Sequence, residues 1–131
     1  MAKKRQYSPR ELACRVLELG HIEAVIERGI RSSDISDPAL AKLWGRVVCD
    51  YAVLRPVLAE TDIALRKPAR KAIASLVVSQ GGILSAIDHG LKVTDMPDPE
   101  MSNLWYATTR RYAIFCASRD NVQSVLNAAF V

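Results

Sequence analysis

The sequence predicts an all-α fold, a compact single-domain bundle of about seven to eight helices. Three observations predict it. Large apolar side chains recur at helical spacing along most of the chain, no segment alternates polar and apolar residues long enough to argue for a strand, and Gly and Pro stand at the borders of the helical patterns. The longest unbroken pattern lies in residues 37–54. There Leu40, Leu43, Trp44, Val47, Val48, Tyr51 and Leu54 fall on one helical face, while Lys42, Arg46 and Asp50 fall on the opposite side. A stripe that wide has to be covered by several other helices, so this segment is the expected centre of the bundle.

Ser8-Pro9-Arg10-Glu11 has the form of a capping box. It starts the first helix behind a basic arm at residues 1–7 and opens a helical domain at residues 8–131. Leu12, Ala13, Val16 and Leu17 form its apolar stripe, and Gly20 marks its end or a loosening. Ile22, Val25, Ile26 and Ile30 make a second stripe, which SSDISD at residues 32–37 breaks as a loop. Asp37 caps the central helix and Pro38 suits its first position, where no amide donor is needed. Arg55-Pro56 is expected to stop or kink that helix, leaving a short one at about residues 56–65.

Pro68 opens the next helix, through Ile73, Leu76 and Val77, until Gly81-Gly82 turns the chain. Ile83, Leu84, Ile87 and Leu91 form a shorter stripe. After an acidic, proline-punctuated loop at residues 94–99, Asp98-Pro99 repeats the cap-then-proline start. Met101, Leu104, Trp105, Thr108, Tyr112 and Phe115 then carry a helix to about residue 117, and Asp120 is read as the cap of a last helix bearing Val122, Val125, Leu126 and Ala129. No internal repeat or low-complexity tract is read.

A chain of 131 residues can bury one core without disulfides. Half its residues are hydrophobic and 24% charged, which excludes a disordered chain. No apolar run approaches the roughly 20 residues of a membrane helix. The basic start MAKKRQYSPR leads into an amphipathic segment rather than a secretory signal, so a cytoplasmic protein is expected. Cys14, Cys49 and Cys116 sit in apolar helical patterns and are expected to be buried, reduced thiols. The net charge of +4 has a definite place. Lys3, Lys4, Arg5, Arg10 and Arg15 stand against Glu11 alone, and basic and acidic residues cancel beyond them. Such an arm either contacts a phosphate backbone or serves as a solubilising tail.

No phosphate-cradling glycine loop, nucleophile elbow or His-Glu-x-x-His motif is present, and the two histidines and three separated cysteines give no pair at ligand spacing. No enzymatic activity, cofactor or metal site is expected, and His21 and His89 are read as surface or capping residues. Arg66, Lys67, Arg70 and Lys71 gather where Pro68 starts a helix, at the positive end of its dipole. Either they serve an external phosphate or Glu60 and Asp62 on the preceding helix neutralise them; a phosphate-contact surface is the expectation. Arg110 and Arg111, flanked by Tyr106 and Tyr112, add cations with aromatic neighbours able to stack on unpaired bases, although Tyr112 also fits a core.

The order of features resembles the NusB fold, the helical domain of bacterial antitermination factors and of the N-terminal part of some ribosomal RNA cytosine methyltransferases. The stretches that carry the resemblance are the basic arm running into RELACRVL, then ALAKLWGRVVCDYAVL, RKPARKAIASLVV with ILSAIDHGLKV, and SNLWYATTRRYA. The resemblance implies a non-enzymatic RNA-binding protein that uses Lys3, Lys4, Arg5 and Arg10, with a ribosomal protein as partner. The expected function is therefore an RNA-binding subunit of a larger ribonucleoprotein assembly. Two other readings fit the same size, charge and helix content: the small helical subunit of a CRISPR-type RNA-guided effector complex, and a purely protein-binding module or inhibitor.

Overall fold

Residues 6–130 are described by a computed structural model of the protein. Six α-helices follow one another: α1 (Pro9–Leu19), α2 (Ile22–Glu27), α3 (Pro38–Leu65), α4 (Lys71–Ser79), α5 (Ile83–Asp88) and α6 (Pro99–Ala128). Single 3₁₀ turns lie at Ser32–Asp34, Pro68–Arg70 and Val93–Asp95. There is no strand among the described residues, and Tyr7 and Ile35 share one isolated bridge. The fold is all-α, with six helices among the described residues rather than seven or eight.

The difference comes from two expected breaks that do not occur. α3 continues through Pro56. Proline removes one donor, and the carbonyl deprived of it is that of Ala52; both residues are exposed, so water can take the place of the lost bond. α6 likewise passes Asp120 without interruption. It holds no Gly and, after Pro99, no Pro, so a capping residue by itself has nothing to end the turn before it. The starts behave as expected. Ser8 Oγ accepts from Glu11 N at 3.2 Å while Ser8 N donates to Glu11 Oε1 at 3.3 Å, and Asp37 Oδ1 accepts from Ala39 N at 2.9 Å.

Laid side by side, the two halves of the chain make the same bonds 61 positions apart, which corrects the reading that no repeat is present. Trp44 Nε1 donates to Ile30 O at 3.0 Å, and Trp105 Nε1 donates to Leu91 O at 3.0 Å. Tyr51 Oη donates to Glu27 at 2.6 Å, and Tyr112 Oη donates to Asp88 at 2.9 Å. Arg31 N donates to Asp34 at 2.8 Å, closing one 3₁₀ turn, and Lys92 N donates to Asp95 at 2.7 Å, closing the other. Gly29 and Gly90 precede the carbonyls that receive the tryptophans, at φ 88° and 92°, a left-handed backbone that favours glycine. Leu40/Met101, Val16/Val77, Ile22/Ile83 and Leu65/Leu126 are buried pairs at the same offset.

The described residues divide into two compact units, one of those up to 51 with those from 115 on, the other of residues 52–114. The first half of α3 thus belongs to the first unit and its second half to the other, while α6 does the reverse. In the first unit Phe115 lies 5.3 Å from Tyr51, ring centre to ring centre, and Ser118 Oγ donates to Asp50. The second unit has its core in Leu65, Ile73, Val77, Ile83, Met101 and Trp105. Buried side chains of this size contribute about 1.5–3 kcal/mol each.

Candidate functional site

Lys3, Lys4 and Arg5 lie outside the described residues. The chain that follows them is anchored: Tyr7 N donates to Asp34 O at 2.6 Å, Ser36 N donates to Tyr7 O at 2.9 Å, and Gln6 Nε2 reaches Ser33 O at 3.0 Å. Residues 6–7 therefore run along the turn before α3. Arg10 follows on the exposed side of α1 and makes no ion pair among the described residues, whereas Arg15 is paired with Glu18 at 3.0 Å. Lys42 and Arg46, one turn apart on α3, are also exposed and without an ion pair among the described residues. Sequence reasoning assigned them only to a wet face, because isolated cations on a helix carry no further signal.

The cluster at residues 66–71 is divided by the fold. Arg70 is buried, its side chain 6% exposed. Its Nε donates to Asp98 Oδ2 at 2.9 Å and its Nη2 to Asp98 Oδ1 at 3.0 Å, a two-pronged pairing, while Nη1 donates to Ala64 O at 3.0 Å in the last turn of α3. Glu100 approaches Arg70 at 3.4 Å and Lys67 at 3.3 Å, and Arg66 pairs with Asp62 at 2.9 Å. The Arg70 guanidinium, then the Met101 N–H, hold the Asp98 carboxyl below its ordinary range; Arg70, then Lys67, do the same for Glu100.

These contacts correct the expectation that Arg70 faces an external phosphate. It is used internally, and the partners are mainly Asp98 and Glu100, 28 and 30 positions away, which no local pattern reveals. Asp62 pairs with Arg66, as the alternative reading of the cluster has it, and Glu60 makes no ion pair among the described residues. Arg66 and Lys67 remain exposed but are paired. Lys71 is the member of the four that is exposed and without an ion pair among the described residues.

On α6 the structure separates the two tyrosines. Tyr112 is 8% exposed and bonded to Asp88, whereas Tyr106 is 57% exposed and makes no hydrogen bond among the described residues. Arg110 and Arg111 are exposed, and neither makes an ion pair among the described residues. Positions 106 and 110 are one turn apart, so ring and guanidinium share a face.

Both histidines make local contacts with the backbone. His21 Nδ1 accepts from Ala24 N at 3.1 Å and caps α2, and His89 Nδ1 lies 2.6 Å from Ser85 O. Among the described residues no group of three or more His, Cys, Asp and Glu is placed to hold a metal. The cysteines are free, but Cys14 and Cys49 are exposed and Cys116 half-buried, so the expected burial of all three is overturned. Cys14 follows buried Ala13 and Cys49 lies two beyond buried Val47, which turns both toward the outer side of their helices. No helix is long and apolar enough to cross a membrane among the described residues. Comparison with known protein families, curated proteins and solved structures finds no match for this chain.

Proposed function

We propose that this protein is a non-enzymatic, RNA-binding subunit of a larger ribonucleoprotein assembly, contacting the phosphate backbone through cations on its surface. The observation that supports the reading best is the set Arg10, Lys71, Arg110 and Arg111: exposed, and without an ion pair among the described residues. Lys3, Lys4 and Arg5 add to it from the sequence. Cations near a polynucleotide displace condensed counterions, and that gain is largest for charges not already neutralised by the protein. A role in transcription antitermination, as the NusB resemblance implies, belongs to the same reading.

Contact with protein subunits is supported by a second feature. Leu17 is 72% exposed and Val78, its counterpart 61 positions on, is 76% exposed. An apolar side chain kept on the surface at the same position of both repeats contributes nothing to either core and suits a protein partner. The test is ultraviolet cross-linking of the full chain in its native cell, followed by identification of bound nucleic acid and protein. RNA recovered together with a defined set of proteins is the expected result. Proteins recovered without nucleic acid would replace the reading with that of a protein-binding module.

A further inference from the structure

The repeats act as references for each other. At most buried positions they hold like residues, Trp44 and Trp105 or Ile22 and Ile83. Along one stretch of the long helices they part: Gly45, Cys49 and Asp50 in α3 stand where α6 has Tyr106, Arg110 and Arg111. Asp50 has an internal task, accepting from Ser118. Arg111 is exposed, and the residue corresponding to Ser118 is Val57, which has no side-chain polar atom to offer.

Between Glu100 and Asp120 no acidic residue occurs in α6, so its own helix does not offset Arg110 and Arg111. Tyr106 keeps 57% of its surface in solvent without a ring contact among the described residues, although the fold accommodates a glycine at the corresponding position. The first repeat thus completes its core with neither a ring nor a cation at these positions. At about 100° per residue Arg110 projects about 40° from the ring and Arg111 about 140°, so Arg110 shares the ring's face while Arg111 stands on the other flank of the exposed side. A flat face beside one charge, with a second charge farther round the helix, suits a base and the phosphates that follow it along an unpaired strand.

We infer that Tyr106, Arg110 and Arg111 form a contact for single-stranded nucleic acid, with one base stacked on Tyr106, a neighbouring phosphate on Arg110 and a phosphate farther along the strand on Arg111. The inference deepens the proposed function and rests on it. Ring–base stacking needs an unstacked base, so a duplex is excluded from this face. Aromatic and arginine side chains also anchor protein interfaces, but an acidic protein partner has no base to place on the ring. That difference makes the two separable.

The test is fluorescence anisotropy of the full chain with a labelled oligouridylate, repeated over a salt series. Tyr106→Ala is expected to weaken binding about tenfold without changing the salt slope, because no cation is lost, and Tyr106→Phe to retain binding. Arg110→Ala with Arg111→Ala is expected to flatten the slope by about 1.4. If Tyr106→Ala binds as the parent does while alanines at Lys3, Lys4 and Arg5 still flatten the slope, this face is overturned and the proposed function stands. If the parent does not bind the oligonucleotide, both fall. Binding of poly-glutamate with the same dependence on Tyr106 would overturn base stacking and assign the face to an acidic polypeptide. All variants are checked for an unchanged melting temperature, which the exposure of these three positions leads us to expect.

Discussion

Trp44 and Trp105 are wholly buried, and each spends its one polar hydrogen on a carbonyl 14 residues earlier. Replacing either with alanine removes packing and a bond together and should cost about 3–5 kcal/mol in denaturant unfolding; a change under about 1 kcal/mol would contradict the burial. The hydroxyls of Thr61 and Thr108 lie 2.7 Å apart in the second unit, where the first unit has buried Val122 and Val47 at the corresponding positions. Each hydroxyl also lies 2.8 Å from the carbonyl one turn back, that of Val57 or Leu104, so Thr61→Val or Thr108→Val alone should cost about 1 kcal/mol, and both together less than the sum, because either change already removes the bond between them. A fully additive pair in a double-mutant cycle would contradict the contact. Asp98 and Glu100 titrate below their ordinary range because Arg70 faces them. Their contribution to stability is therefore complete above the normal carboxylate range, near pH 4, and is lost as pH falls through the lowered values. Asp98→Asn keeps a capping side chain on α6 but not the charge, so its melting temperature should vary less with pH below about 4 than the parent's.

The helices were easiest to read where a stripe and a cap coincide. Pro9 behind Ser8, Pro38 behind Asp37 and Pro99 behind Asp98 mark three helix starts as the chain alone suggested. Pro56 misleads because proline is read as a breaker, whereas what matters is whether the carbonyl it leaves unpaired is buried. Pro56→Ala should thus stabilise the protein by about 2 kcal/mol, the cost of an interior proline less its restriction of the unfolded chain; destabilisation would mean that α3 needs the proline's geometry. The repeat was hidden for another reason. Its matching pairs are scattered, Gly29 with Gly90 or Trp44 with Trp105, among surface positions that differ, and the likeness is plain only where both indole donors meet equivalent carbonyls. Among the candidate site residues, exposure of Arg110 and Arg111 followed from their places on a helix. The capture of Arg70 by Asp98 did not, because a pairing across 28 residues has no local signature.

Taken over the full chain, the repeats share a folding plan and differ in surface chemistry. Each unit draws on both long helices. The first unit takes Phe115, Val122 and Leu126 from the far half of α6, so the whole sequence is needed to complete it. The net charge of +4 is not spread over this plan but collects in the first fifteen residues, with further cations at Lys71, Arg110 and Arg111 that lack ion pairs among the described residues. If those charges are there to meet phosphates, affinity for an unstructured RNA must fall with salt in proportion to the contacts made. The direct measurement is the slope of log affinity against log salt for the full chain on single-stranded RNA. Three to six phosphate contacts predict a slope between about −2 and −4, at roughly 0.7 per contact. A slope near zero, or no binding at low salt, would contradict the assignment of this protein to RNA.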